Sequence, residues 1–271
     1  MIKAIIGIIL VLAVIYIGLG ALLYVFQRSQ QYFPSGSIAL PPTLSGLDVS
    51  RVEISVPDGE RMAAWYRPAP PGAPTFLYFP GNGGSIADSH DHFLKIIGSG
   101  FGFLAISYRG YPGSSGSPSE TGLYLDGLSS YDWLTKQGVS ADSIIIYGWS
   151  LGSGIAAKVA SERPAEALVL EAPFLSAEAI ARHRFPIFPV GLLMKDPYRT
   201  DLLLSAITQP LVVLHGTNDA TIPVDHGREI VQRYTGAKEL HIVPGGSHTD
   251  LWDRGGWEKI TGALKALGAL H

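Results

Sequence analysis

A short apolar run, Ile144–Ile145–Ile146–Tyr147, feeds directly into Gly148–Trp149–Ser150–Leu151–Gly152, and the small-residue stretch Ser153–Gly154–Ile155–Ala156–Ala157 follows. A β-branched strand, a glycine-flanked serine and a helix of small side chains fit a strand-to-helix turn of unusual sharpness. The residues two before and two after the serine must then be nearly free of side chain. The hydroxyl stands exposed above the sheet, and the helix N-terminus behind it favours developing negative charge. The pentapeptide alone carries little weight: with 32 glycines in 271 residues it turns up by chance in roughly one such chain in three. Its context makes Ser150 the candidate nucleophile.

A serine nucleophile needs a base, and the base needs an orienting acid. Leu211–Val212–Val213–Leu214 reads as a buried strand that runs into the turn-rich loop from His215 to Pro223. Asp219 lies in that loop, at the strand's C-terminal end, where open α/β sheets gather reactive groups. Leu240–His241–Ile242–Val243 reads as the final strand, and His248 sits in the glycine-rich loop Pro244–Asp250 that follows. His248 is expected to take the Ser150 proton, with Asp219 holding the imidazole tautomer and stabilising the imidazolium. Among the eight histidines, His90 and His92 fall on an early helix, His226 at a helix start and His241 within a strand; His183, His215 and His271 complete the set. Asp225 reads as a helix N-cap and Asp250 as a residue behind the catalytic group rather than a member of it.

Acyl transfer also needs donors for an oxyanion. Thr75–Phe79 reads as a strand, and Pro80–Gly81–Asn82–Gly83–Gly84–Ser85 follows it before a helix. The backbone N–H of Asn82, paired with that of Leu151 just after the nucleophile, would make the oxyanion hole. A plain βα turn uses the same residue types. A phosphate-binding glycine loop is disfavoured, because no G-K-[ST] follows.

On these segments the chain resembles α/β-hydrolase-fold serine hydrolases. It is close to the group with one N-terminal membrane helix that includes protein depalmitoylases and lysolipid or monoacylglycerol hydrolases. The matching stretches are Phe79–Gly84, Tyr108–Tyr111 with Gly113–Gly116 and Pro118–Glu120, Gly148–Gly152, His215–Gly216 with Asp219, and Gly246 with His248. The order Ser150, Asp219, His248 is also the family's order. Pro80 departs from the pattern, which more often has histidine before the glycine; the backbone donors are unaffected. Some members take their acid from an earlier strand, which keeps Glu171, at the end of Ala167–Leu170, as the competitor of Asp219. The resemblance implies a hydrolase of carboxylic esters or thioesters that works through an acyl-enzyme and needs no cofactor.

The remaining composition agrees with an α/β fold. Continuous apolar runs near 75–79, 103–107, 144–147, 167–170, 211–214 and 240–243 read as strands of a mostly parallel sheet flanked by helices, buried on both faces. Asp48–Val56 and Met62–Pro68 read as an antiparallel edge hairpin around Pro57–Asp58–Gly59. With no cysteine, disulfides and thiol nucleophiles are excluded; no metal-ligand spacing stands out. A net charge of −3 argues against nucleic acid as a partner.

Ala4–Phe26 is a run of 23 residues without a charge, about 34 Å as a helix and long enough to cross a bilayer core. Tyr24, Tyr32 and Phe33 cluster toward one end, where interfacial aromatics are expected. A cleaved signal peptide would have only Gly18–Leu19–Gly20 as its small-x-small site, and the apolar run continues beyond it to Phe26. Residues 1–29 are therefore expected to be an uncleaved single-pass membrane anchor and 30–271 one catalytic domain. The amino terminus and Lys3 against Arg28 favour a cytoplasmic N-terminus and an outward domain.

Between Pro173 and Pro210, after strand six, lies a short lid with the apolar centre Phe185–Met194. It reads equally as an acyl-binding or lipid-facing wall and as a helix packed over the sheet. Arg182, His183 and Arg184 read as a solvated charged face, and Arg109 as a loop brace. The expected function is hydrolysis of small-molecule or lipid esters or thioesters. A serine hydrolase of peptide or C–C bonds, or an idle hydrolase-fold scaffold, are the alternatives. Haloalkane and epoxide chemistry is disfavoured because serine occupies the nucleophile position.

Overall fold

The computed structural model describes residues 1–270; His271 lies outside the described residues. Eight strands form one sheet: β1 (Ser50–Ser55), β2 (Arg61–Arg67), β3 (Thr75–Phe79), β4 (Gly102–Ile106), β5 (Ile144–Trp149), β6 (Ala167–Glu171), β7 (Leu211–Gly216) and β8 (Lys238–Val243). Their order across the sheet is β1-β2-β4-β3-β5-β6-β7-β8. β1 and β2 form the expected antiparallel hairpin, β2 pairs antiparallel with β4, and every other pair is parallel. The strands match the apolar runs because both faces are covered. β3, β4, β6 and β7 are buried at every position, so no polar alternation marks them.

Alternate side chains supply two cores. Leu77, Phe79, Leu104, Ile106, Ile144 and Ile146 pack beneath α3 (Glu120–Lys136), α4 (Leu151–Glu162) and α8 (Asp225–Arg233). Phe76, Tyr78, Phe103, Ile145 and Tyr147 pack on the other face against α2 (His90–Gly98) and α9 (Gly256–Ala266). Asp225 is the first residue of α8, whose N-cap is Val224, and pairs with Arg228 at 2.8 Å; it is not the cap its sequence position suggested. Three strands extend past the apolar runs that mark them: β5 runs on through Trp149, β6 through Glu171 and β7 through Gly216.

The parallel register brings the strand ends to one edge. Phe79 lies opposite Gly148, Trp149 opposite Glu171, Glu171 opposite Leu214 and Gly216 opposite Val243. The loops after β3, β5, β7 and β8 all leave from that edge. β4 lies on one side of β3 and β5 on the other, so the chain reverses its winding there and opens a crevice, the usual position of a site in open α/β sheets.

Two parts stand outside the layers. α1 (Ile2–Phe26) has no buried residue and is long and apolar enough to cross a bilayer. The lid, with α5 (Ala177–Arg184), α6 (Val190–Leu193) and α7 (Thr200–Leu203), joins β6 to β7. Its apolar centre does not pack over the sheet: Phe188 stacks on Tyr16 of α1 at 5.0 Å.

Arg109 braces the loop after β4. Its side chain is only 8% exposed, and it donates from Nε and Nη2 to Asp126 Oδ1 at 3.0 and 2.7 Å and from Nη1 to Asp58 Oδ2 at 2.7 Å. Its backbone N–H completes the clasp on Asp126 Oδ2 at 2.9 Å. One guanidinium thus ties this loop to α3 and to the β1–β2 turn, and Gly122 of α3 leaves room for it: a Cβ there would lie 2.6 Å from Arg109 Cδ. Removing one partner strands a buried charge, so Asp126→Ala should cost about 3–5 kcal/mol in chemical denaturation.

Candidate active site

Ser150 ends the strand-to-helix turn with φ 53° and ψ −118°, a left-handed conformation that costs a non-glycine residue roughly 1–3 kcal/mol. The flanking glycines show why the turn can close. A Cβ on Gly152 would overlap the carbonyl oxygen of Phe79, and one on Gly148 would run into the carbonyl of Gly152. The Ser150 N–H donates to the Glu171 carbonyl at 2.9 Å, and its own carbonyl accepts from Ser153 N–H at 2.9 Å.

Ser150 Oγ lies 2.8 Å from His248 Nε2, and His248 Nδ1 lies 2.7 Å from Asp219 Oδ2. Because a carboxylate only accepts, Nδ1 carries the proton and Nε2 is free to accept from the serine hydroxyl. Asp219 Oδ1 accepts from the N–H groups of Thr221 and Ile222, both at 2.8 Å. Burial alone would push this carboxyl up. The close His215 ring, the hydrogen bond from His248 and the Ile222 N–H together outweigh it and hold Asp219 well below the usual carboxylate range.

Three residues that sequence reading did not place in the site support this chain. His215, fully buried, donates from Nε2 to the Ile222 carbonyl at 2.9 Å, with Asp219 Oδ2 at 3.4 Å, and so backs the acid from behind. The indole of Trp149 donates to the His248 carbonyl at 3.2 Å and tethers its loop to the elbow. Asp250 accepts from Ser247 N–H and Arg254 Nε, both at 2.6 Å. Tyr111 donates from its hydroxyl to the Asn82 carbonyl at 2.7 Å. His215, Trp149 and Tyr111 all lie in stretches that carry the family resemblance, but nothing in the sequence names their partners.

The loop after β3 lies against the elbow: a Cβ on Gly81 would be 3.4 Å from the Trp149 ring and 3.6 Å from Ser150 Cβ. Pro80, the departure from the family pattern, accepts Tyr108 OH on its carbonyl at 2.8 Å. Asn82 is held on three sides. Its carbonyl also accepts from Phe33 N–H at 2.9 Å, and its side-chain amide donates to the Gln31 carbonyl at 2.9 Å. Phe33–Pro34 in turn pairs as a short parallel strand with Gly83–Gly84. Leu151, the other candidate donor, opens α4 beside Ser150.

Glu171 makes no bond to His248. Its side chain points into the opposite core, where Tyr147 OH and Trp252 Nε1 both donate to Oε2, the latter at 2.8 Å. Of the other histidines, His92 meets Tyr78 OH at 2.9 Å and stacks on Trp252, while His226 accepts from Leu175 N–H at 3.2 Å. Complete burial pushes the Glu171 carboxyl up to about 8, against an ordinary 4.5. The folded chain therefore holds a proton that the unfolded chain releases between those values. Stability is full below pH 4.5, falls as the pH rises and levels off beyond about 8. Glu171→Gln should abolish that slope, at most about 1.4 kcal/mol per pH unit, in thermal melts at pH 5, 6.5 and 8.

A family model described as the alpha/beta hydrolase fold matches residues 74–192. An uncharacterised protein of Mycobacterium tuberculosis is 32% identical over 244 residues, covering 89% of this chain and 86% of its own. The alpha/beta hydrolase domain-containing protein WAV2 of Arabidopsis thaliana is 28% identical over 267 residues, covering 87% and 85%. Among solved structures, the Pyrococcus furiosus esterase Pf2001 superposes with a TM-score of 0.71 at 18% identity, covering 88% of this chain and 97% of that one.

Proposed function

This chain belongs to the α/β-hydrolase fold family, and from that premise we propose that it is a serine hydrolase cleaving carboxylic ester or thioester bonds. The observation that carries the reading is the continuous chain from Ser150 Oγ through His248 to Asp219, with contacts of 2.8 and 2.7 Å. His248 Nε2 takes the hydroxyl proton as Ser150 Oγ bonds to the substrate carbonyl carbon. The resulting oxyanion is stabilised by the backbone N–H groups of Asn82 and Leu151. As the tetrahedral intermediate collapses, His248 returns the proton to the departing alcohol or thiol, leaving an acyl-Ser150. Water, deprotonated by the same nitrogen, then releases the acid and restores the serine. Asp219, held ionised, keeps Nδ1 protonated throughout and offsets the imidazolium charge. No step calls for a cofactor.

Residues 1–29 act as a single-pass membrane anchor and 30–271 as the catalytic domain, which lies on the outward side. The length and exposure of α1 support the anchor, and Lys3 against Arg28 supports the orientation. The substrate is a small-molecule or lipid ester.

Ser150→Ala should abolish turnover of a short soluble ester and covalent labelling by a fluorophosphonate while the fold stays intact by circular dichroism. Labelling that survives the substitution would remove Ser150 from the mechanism.

For the acid, Asp219→Asn should lower kcat by about 10⁴, by favouring the wrong imidazole tautomer. Glu171→Gln should leave kcat within a few-fold. A reversed pair of results on the same ester would transfer the role to Glu171.

A further inference from the structure

The lid is fastened along one face of α1. Tyr16 stacks on Phe188 at 5.0 Å and donates from its hydroxyl to the Ile187 carbonyl at 2.7 Å. One turn on, Gly20 leaves space that a Cβ would narrow to 3.4 Å from the Phe188 ring. Gln27 accepts from Lys195 N–H at 2.6 Å and donates to the Leu193 carbonyl at 3.2 Å. Between them, the Lys195 ammonium lies 4.2 Å over the Tyr24 ring. At the end of the helix, Arg28 grips Asp196 from Nε and Nη2 at 2.7 and 3.1 Å.

We propose that the lid tip, Phe185–Leu193, is a second membrane-inserted element, seated in the acyl region of the same leaflet through which α1 reaches the catalytic domain. The proposal rests on α1 spanning the bilayer. With Lys3 at the far interface, a hydrocarbon core of about 30 Å consumes about 20 residues of helix and ends near Leu23. Gly20 and Tyr16 then lie about 5 and 10 Å inside it, the depth at which interfacial elements insert. Gln27, Arg28, Lys195 and Asp196 fall outside that boundary, at the level of the headgroups. The tip therefore cannot stay attached to Tyr16 and remain in water.

The chemistry of the tip suits that depth. Ile187 and Leu192 are 69% and 87% exposed, and no charged residue occurs from Phe185 to Met194. A contiguous bare apolar tip of this kind needs a partner, whereas scattered exposed leucines do not. Part of the tip's backbone is also bonded within the protein. Phe185, Phe188, Val190, Leu192 and Met194 donate their N–H groups to carbonyls within the lid at 2.8–3.1 Å, and Pro186 and Pro189 have none to satisfy. Tyr16 and Gln27 cover two of its carbonyls. The basic residues Arg182, His183, Arg184 and Lys195 flank the tip on both sides, where long cationic side chains can reach headgroup phosphates. The lid of the proposed hydrolase thus faces the leaflet, and lipid esters are the substrates that arrive there without crossing water.

The chain has no cysteine, so single reporters are easily introduced. Full-length Leu192→Cys, Leu12→Cys and Gln232→Cys, each carrying an environment-sensitive fluorophore, would be reconstituted into phosphatidylcholine–phosphatidylglycerol vesicles with and without brominated acyl chains. The Leu192 reporter should shift to the blue and lose most of its intensity to the brominated lipid, as Leu12 does, while Gln232 stays in water. A Leu12 reporter in lipid with Leu192 in water would overturn the inserted lid and leave the anchor standing. Both reporters in water would overturn the anchor and the lid together. A blue-shifted Leu192 that brominated lipid does not quench would mean that protein, such as a second copy of the chain, covers the tip. The readout involves no turnover, so its result is independent of which bond Ser150 attacks.

Discussion

The candidate site depends on how closely two stretches of backbone approach at the start of α4. Gly152 sits against the carbonyl oxygen of Phe79 and Gly148 against that of Gly152, with no room for a side chain at either position. That closeness forces Ser150 to positive φ, and the bonds to Glu171 and Ser153 hold it there. The strain is sustained because β5 lies between β3 and β6 with its first five residues buried. A rigid sheet on both sides turns a local conformational cost into a fixed position for one hydroxyl, next to Gly81 and at the crevice between β3 and β5.

Two buried carboxyls on the same sheet edge illustrate how donors decide charge. Asp219 receives bonds on both oxygens, from two backbone N–H groups and His248, with His215 close behind, and stays ionised. Glu171 receives two donors on one oxygen within an aromatic wall, and burial wins. The first can stabilise an imidazolium; the second holds its proton through neutral pH and serves packing. Trp252 links this wall to the surroundings of the site, because it also stacks on His92 at 3.9 Å, and His92 meets Trp149 edge-on.

The segment just after α1 is more than a tether. Gln31 and Phe33 bond to Asn82 on either side, Tyr32 is buried with its hydroxyl on that of Tyr198, and Arg28 and Gln31 both bind Asp196. Asp196 in turn accepts from Glu120 N–H at 3.0 Å, and Glu120 accepts from Tyr198 N–H at 2.9 Å. The strap after α1, the lid and the first turn of α3 therefore form one polar junction, and the strap continues from it to the loop beside Ser150. Movement of the lid relative to the body would have to pass through this junction.

The sequence by itself determined the sheet, the elbow and the candidates. Six mainly apolar runs became six of the eight strands, and glycines at fixed offsets from Ser150 marked the one place where a turn so tight can form. Asp219 and His248 were legible as candidates because each follows a strand end, and the parallel sheet brings strand ends together whatever their separation in the chain. Only the tertiary structure decided which acid lies within reach of the imidazole, since Glu171 ends one buried strand with its side chain turned into the opposite core, while Asp219 lies in the loop three residues past the end of another. His215, Trp149 and Tyr111 acquire their supporting bonds from partners that no local pattern announces. The pairing of Phe33–Pro34 with Gly83–Gly84 and the stacking of Phe188 on Tyr16 were equally invisible. Periodicity reports which face of an element is buried; which distant element covers it is fixed only when the whole chain packs.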